Sequence, residues 1–385
     1  MPEFLGYHRE DGRVGVRNLL LVLSLGGLTG RAARRIAVQV DGAVVIVLPY
    51  GVGLTGADAA VQARAIVALV THPNVGAAVV VGDNPVQMKA VVGHMERAGQ
   101  PHAAFTLDDC GHDAITLTER GVRAAARLAR AVSNLRPRPA PVAALAVGLE
   151  CGRSDPSSGL VANPLLGVVA DRIVAAGGTA ILGETMEWLG AEDLLAARAR
   201  RPEVASGIRS AVLARQQAAS AAGIDLVRSN PGPTNIAAGL STIEEKSLGA
   251  IAKCGSSPIE GLVAYGERPI APGLWLMDGA AYSPESMTGF VMAGAQINLF
   301  TTGVGNSYVS LLAPTLKVSA NPESALRLHE QIDFDASEAF RGRQDLAAAG
   351  DGLFAEVLRV ASGGATWGEV LMEGDEVVSR YGVAL

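Results

Sequence analysis

The chain has 385 residues, 49% of them apolar, a mean hydropathy of +0.27 and a net charge of −6, enough apolar material for two or three folded cores. With no basic block and only 4% aromatic residues, it has neither the charge nor the stacking surface that nucleic acid demands. Cys110, Cys151 and Cys254 show no paired spacing, the start lacks the apolar core of a signal peptide, and no apolar run nears the roughly 20 residues of a membrane helix, so a reduced, cytoplasmic protein without membrane contact is expected.

Strand-length apolar runs alternate with helical patterns from the start. Leu19–Leu25 is followed by Gly30–Val40, Ala43–Leu48 by Ala57–Val70, Ala77–Val81 by Pro85–Ala98, and Ala103–Leu107 by Thr118–Leu135. Near-continuous Val, Ile and Leu in each strand means that both sheet faces are covered, the habit of parallel βα units. Residues 1–135 therefore read as a doubly wound α/β domain. The run Arg136-Pro137-Arg138-Pro139-Ala140-Pro141 breaks every regular pattern and reads as an extended linker.

A second α/β domain, 142–385, opens with a buried strand at Val142–Gly148 and the polar loop Glu150–Gly159. A helix begins near Asn163-Pro164, a strand lies at Thr179–Leu182, and a helical stretch interrupted by Pro202 runs to about Ala222. Leu274–Met277 and Ile297–Phe300 read as strands ending in polar residues. Helices start at Ser283-Pro284-Glu285 and Asn321-Pro322-Glu323, where cap, first-turn proline and acid stand in the preferred order. The expected architecture is α/β: two Rossmann-like domains with mainly parallel sheets covered by helices on both faces.

Ligands of open α/β sheets gather at the carboxyl ends of strands. In the second domain those ends carry Glu150, Cys151, Ser154 and Asp155, then Glu184, Thr185 and Glu187, then Asp278, and finally Thr301-Thr302-Gly303-Val304-Gly305-Asn306-Ser307, a glycine- and hydroxyl-rich stretch that reads as an anion nest. Gly26–Gly30 fails the G-x-G-x-x-G spacing, which argues against NAD. Asp108–Asp113 lacks zinc-ligand spacing and reads as a solvated loop.

Only four of the 32 basic residues are lysines: Lys89, Lys246, Lys253 and Lys317. A retained lysine offers what arginine cannot, a compact charge able to lose its proton. Between Ser229 and Gly255 a small-residue loop leads into a short helix whose start fits a capping box twice, Ser241 with Glu244 and Thr242 with Glu245. Lys246 and Lys253 lie seven apart and share a helix face. Lys246 reads as a positioned cation or base, and Lys253, near the helix end, as a partner of the helix dipole.

These residues together resemble a known family. Phe4-Leu5-Gly6-Tyr7, Asp11–Asn18, Glu150-Cys151-Gly152, Ser154-Asp155, Ser158-Gly159, Ala162-Asn163-Pro164, Gly183-Glu184-Thr185, Asn230-Pro231, Asn235, Thr242–Gly249, Pro272-Gly273-Leu274, Met277-Asp278, Thr301-Thr302-Gly303, Lys317 and Asn321 are similar, in order, to the main region of the altronate and galactarate dehydratase family. Pro49-Tyr50-Gly51, Gly303–Asn306 and Ile332–Asp335 are closer in layout to the large subunit of sulfolactate sulfo-lyase. Val52, Asp83-Asn84 and Leu299 stand where the sugar-acid dehydratases tend to have cysteines, Ile236 at a usual lysine and Val304 at a usual arginine. Cys151 remains of that thiol set.

The resemblance implies β-elimination from a small 2-hydroxy acid such as a sugar acid to give a 2-oxo acid. Alternatives are sulfite release from sulfolactate and a non-catalytic carboxylate-binding homologue that kept the scaffold. It also implies a divalent metal, ferrous iron with Mn2+ or Mg2+ as alternatives and neither NAD nor PLP, held by Cys151, Glu187 and Asp278, with Glu184 a further ligand. The catalytic set it implies is Lys246, Glu184, Glu245 and Lys317, with Lys246 or Lys317 as base or carboxylate clamp. Ser154, Asp155, Asn163, Thr185, Asn235, Thr301, Thr302, Gly303 and Asn306 would bind the anionic substrate. A homo-oligomer is expected, together with a separate small subunit of the SAF type, because the small domain that the dehydratases carry ahead of this region is missing.

Overall fold

The computed structural model describes residues 2–226 and 231–378. Asn230 of the sequence motif lies outside the described residues. The chain divides into two compact units, one built on Leu5–Ala140 and the other on Pro141–Gly374.

The first unit contains β1 (Glu3–His8), β2 (Val14–Gly15), β3 (Leu19–Ser24), β4 (Ala43–Val47), β5 (Val75–Gly82), β6 (His102–Thr106) and β7 (Arg138–Pro141). β3 to β6 form a parallel sheet of order β4-β3-β5-β6. Every residue of the central β5 is buried, as a parallel strand covered on both faces must be. Its helices are α1 (Gly30–Val38), α2 (Gly56–Val70), α3 (Pro85–Arg97) and α4 (Ala114–Val132). α4 starts four residues earlier than its apolar pattern suggests, because Asp113 accepts hydrogen bonds from Ile115 N and Thr116 N and caps it there. The proline-rich stretch is a strand: β7 joins β1 and β2 in a small sheet of order β2-β1-β7.

The second unit is a seven-stranded sheet of β8 (Ala146–Cys151), β9 (Thr179–Leu182), β10 (Ile259–Ala264), β11 (Gly273–Asp278), β12 (Ile297–Thr301), β14 (Thr315–Ser319) and β15 (Phe334–Asp335); β13 (Val309–Ser310) lies outside it. Its order is β10-β11-β9-β8-β12-β14-β15, and every neighbouring pair is parallel. From β8 the chain runs through β9 to the edge strand β10, fills the gap between β10 and β9 with β11, then crosses with β12 to the other side of β8. The order therefore reverses between β8 and β12, and a crevice opens at their carboxyl ends. A π-turn over Ser158–Ala162 runs directly into helix α5 (Asn163–Ala175). The combined segment is apolar and long enough by composition to cross a membrane, but Leu165, Leu166, Val169 and Ile173 are fully buried in this unit, so it is a core helix.

Candidate active site

β8 and β9 deliver the central residues. Glu150 and Cys151 end β8, both buried. After β9 the backbone turns through Glu184, whose φ of +66° lies in the left-handed region that side chains rarely adopt, and enters a short 3-10 turn, Thr185–Trp188. That turn is pinned by the indole of the fully buried Trp188, which donates to Gly183 O at 3.0 Å, and it carries Glu187 back toward Cys151.

The two lysines come from the helix Ile243–Ile251 and the 3-10 turn that continues it. Thr242 caps that helix by accepting from Glu245 N. Lys253 does not answer a helix dipole at the surface. The tightened last turn drives its side chain to full burial, where Nζ donates to Glu184 Oε2 at 2.5 Å and to Cys151 Sγ at 2.9 Å, and lies 3.4 Å from Glu187 Oε2. Lys246 Nζ meets Glu187 Oε1 at 2.6 Å. The shared face of the two lysines thus converges on one carboxylate.

Burial disfavours the charged form of every group here. Burial and the neighbouring Glu184 push the Glu150 carboxyl well above the ordinary carboxylate range. Burial and Glu187 raise Glu184, and burial with Glu184 and Glu187 raises the Cys151 thiol. Glu187 goes the other way: burial opposes its ionisation, yet Lys246 and Lys253 hold its carboxyl at about 2. For Lys253 too, burial is outweighed, by Cys151, Glu184 and Glu187. Desolvating an ion costs several kcal/mol, so the close partners of Lys253 are what keep it charged in the interior.

Cys151, Glu184 and Glu187 bring donor atoms within 4.8 Å of one another. One sulfur and two carboxylates suit a borderline divalent ion. Glu150 Oε1 and Glu184 Oε1 are buried and find no hydrogen-bond donor among the described residues, which leaves a shared proton or a cation to satisfy them. Three carboxyls and a thiol against two ammonium groups leave an acid excess. The residues present fit such an ion.

Above this group lies a cavity of about 720 Å3 whose wall includes Cys151, Ser154, Glu187, Asn235, Lys246 and Asn306 of the residues singled out in the sequence. Asp155, Asn163 and Glu245 line a much smaller cleft of about 10 Å3 beside it. Several others have structural partners. The Asp155 carboxylate accepts from Ser157, Ser158 and Asn321. Asn163 bridges Gly249 O and the Thr301 hydroxyl. Asp278 does not join the Cys151 group: its carboxylate accepts from Thr185 and pairs with Arg215 at 2.9 Å. Glu245 is exposed and folds back on Ser241, accepting from its amide and hydroxyl. Lys317 is buried behind the wall, donating to Ser307 O, with Glu373 3.7 Å away.

The Thr301–Ser307 stretch does not present a row of free amides. Thr302 N donates to Val318 O, Gly303 N and Val304 N to Arg153 O, and Gly305 N to the Thr302 hydroxyl. Gly303 is glycine for a steric reason, since a Cβ there would overlap the Asp155 carboxyl.

Glu150 and Lys253 are members of the site that the sequence reading left without a role in it. The acid excess around Cys151 was visible; that a helix-end lysine turns inward to meet it was not. Asp171 of α5 sets that turn. Its carboxylate accepts from the amides and hydroxyls of both Ser256 and Ser257, just beyond Lys253. Burial opposes its ionisation, but these bonds hold its carboxyl below the ordinary value of 3.8. Asp171→Ala should lower the melting temperature by roughly 4–8 °C at neutral pH. A depressed folded-state pKa stabilises above the unfolded value, so the gap between variant and wild type should close as pH falls below 3.8, which parallel melting curves would check.

A family model described as "D-galactarate/Altronate dehydratase, C-terminal" matches residues 142–384, and one described as "D-galactarate dehydratase/Altronate hydrolase, second domain" matches 6–133. The chain is 35% identical to (2R)-sulfolactate sulfo-lyase subunit beta of Chromohalobacter salexigens, over 98% of this chain and 97% of that protein. It is 33% identical to altronate dehydratase of Escherichia coli over 88% of this chain and 70% of the relative, and 34% identical to galactarate dehydratase (L-threo-forming) of the same organism over 58% and 42%. With its motifs, its two matched regions and a relative aligned nearly end to end, the chain belongs to the D-galactarate/altronate dehydratase family.

Proposed function

We propose that this chain is a lyase of the hydro-lyase type, removing water by β-elimination from a small 2-hydroxy acid such as a sugar acid and leaving a 2-oxo acid. The observation that carries this reading is the buried Cys151–Glu184–Glu187 group with Lys246 at the wall of one cavity, in a chain whose relatives are named as dehydratases and a sulfo-lyase. The α-proton of a carboxylate is very weakly acidic, so its removal requires positive charge where the enediolate forms. A divalent ion, ferrous iron in this proposal, would be held by Cys151, Glu184 and Glu187 and supply Lewis-acid stabilisation of that charge.

The chain's own residues handle binding and protons. Lys246, paired with Glu187 at 2.6 Å on the cavity wall, is kept charged by that carboxylate against the cost of burial, and so is placed to clamp the substrate's carboxylate and to donate a proton toward the departing hydroxyl. Lys253 is a positioning residue: fully buried, it holds Glu184 and Cys151 in place from beneath. Ser154, Asn235 and Asn306 offer polar contacts to the substrate. A free, buried thiol at the site suits a reducing, cytoplasmic compartment.

One observation favours a second reading, carbon–sulfur cleavage. The chain spans 97% of the sulfo-lyase subunit beta but 70% of the altronate dehydratase. Elimination from 3-sulfolactate would break C3–S with the electron pair leaving on sulfur as sulfite, and the enol would become pyruvate. Since that relative is by name one subunit, we also propose a small partner chain for this one, in a homo-oligomeric assembly. Iron-loaded protein kept from oxygen should convert an aldonate, an aldarate or 3-sulfolactate to a 2-oxo acid, with sulfite appearing only from the last. No product from any of them, with or without a small partner subunit, would overturn the lyase reading in favour of a non-catalytic carboxylate-binding protein.

A further inference from the structure

Arg153 has no assigned role, yet it is one of four non-glycine residues with positive φ among the described residues, at +56°. An arginine in that conformation costs of order 1–3 kcal/mol relative to an ordinary backbone and persists only where its surroundings fix it. They do: Arg153 O accepts from Gly303 N at 3.2 Å and Val304 N at 3.3 Å, and the next turn is tied by the Asp155 carboxylate to Ser157, Ser158 and Asn321. The strained turn presents the Arg153 side chain to the wall of the 720 Å3 cavity.

Charge at that wall is uneven. Glu187 is matched by Lys246 at 2.6 Å, and Glu373 has Lys317 at 3.7 Å. The guanidinium of Arg153 has no hydrogen bond or ion pair among the described residues. The amides of Asn306 and Ser307, on the same wall, likewise have no acceptor there, whereas those of 302 to 305 are all committed. A guanidinium fork carried on a fixed turn, together with two open amides, is a donor set suited to an oxyanion with two or three oxygens.

We infer that Arg153, with the Asn306 and Ser307 amides, forms a subsite for a second anionic group, so that the preferred substrates are 2-hydroxy acids carrying a sulfonate or a second carboxylate on the far carbon. The inference rests on the elimination reading for its place in a reaction, and its test is independent of turnover. Binding of 3-sulfopropanoate, succinate and propanoate to the full chain is measured by calorimetry; none of them carries a 2-hydroxyl, so none can yield a 2-oxo acid. Wild type should bind one or both dianions at least roughly tenfold more tightly than propanoate, and which dianion it prefers separates a sulfonate from a carboxylate site. Arg153→Gln and Arg153→Gly should both erase that preference, Arg153→Lys should keep part of it, and propanoate affinity should stay unchanged throughout. Glycine accepts positive φ without strain, so the Arg153→Gly variant should melt no lower than wild type and separates lost recognition from lost folding. Equal affinity of wild type for dianion and monoanion, no binding of any probe, or a preference that survives in Arg153→Gln and Arg153→Gly, would overturn the subsite. Lost catalysis with this preference intact would overturn the lyase reading alone.

Discussion

Replacing Lys253 with methionine should destabilise the second unit by about 3–5 kcal/mol, because Glu184, Glu187 and Cys151 would lose the cation that compensates their burial. For a unit of this size that is a fall in melting temperature of roughly 6–20 °C. Methionine preserves much of the length and apolar stem of the side chain, so the loss would report charge and hydrogen bonding rather than a cavity. Adding Glu184→Gln should recover part of it, because the unpaired carboxylate is then gone; the coupling in this double-mutant cycle should therefore favour the double variant. Melting curves of the four proteins decide the matter. A Lys253→Met protein melting within 2 °C of wild type, a margin of roughly 1 kcal/mol, would mean that the ion pair contributes nothing net.

The second large effect concerns the ion. Protein prepared without oxygen should carry about one divalent ion per chain, and Cys151→Ser should reduce that content to near zero, since a serine hydroxyl stays protonated where a thiolate is the soft donor. Activity should fall with it by roughly a hundredfold or more, as expected when a centre that stabilises the enediolate is lost. Elemental analysis reads the first effect and 2-oxo acid formation the second. Cys151 is fully enclosed and its volume is nearly that of serine, so a folded variant that keeps wild-type metal content would remove Cys151 from the ligand set.

The strands β3, β4 and β5 are legible in the sequence because each is a nearly unbroken run of Val, Ile, Leu and Ala, as parallel strands covered by helices are, whereas β6, His102–Thr106, shows only a short apolar stretch between a histidine and a threonine. β10 and β14 are not: Ile259–Ala264 alternates buried and part-exposed positions, and Thr315–Ser319 carries a lysine and two hydroxyl residues that only the fold shows to be buried. Cys151, Glu184, Glu187 and Lys246 could be placed at strand ends and on one helix face, and the chain brings these four together. Local pattern cannot say which way a side chain turns after a helix tightens, and Lys253 depends on that. It also cannot say that a glycine-rich stretch has spent its amides internally, as 302 to 305 have. Glu245 and Asp278 look like chemistry in sequence because carboxylates near lysines and strand ends do; in the fold one closes a helix start and the other pairs with Arg215.

The central claim is that the buried Cys151–Glu184–Glu187 group, braced by Lys253, is where the reaction takes place. The most direct measurement compares 2-oxo acid formation by wild type, Glu184→Gln, Glu187→Gln and Glu245→Gln, all iron-loaded and shown folded by their melting curves. The account predicts that the two buried-glutamate variants lose roughly a hundredfold or more while Glu245→Gln stays within about threefold of wild type. A folded Glu184→Gln or Glu187→Gln protein turning over at the wild-type rate would contradict it.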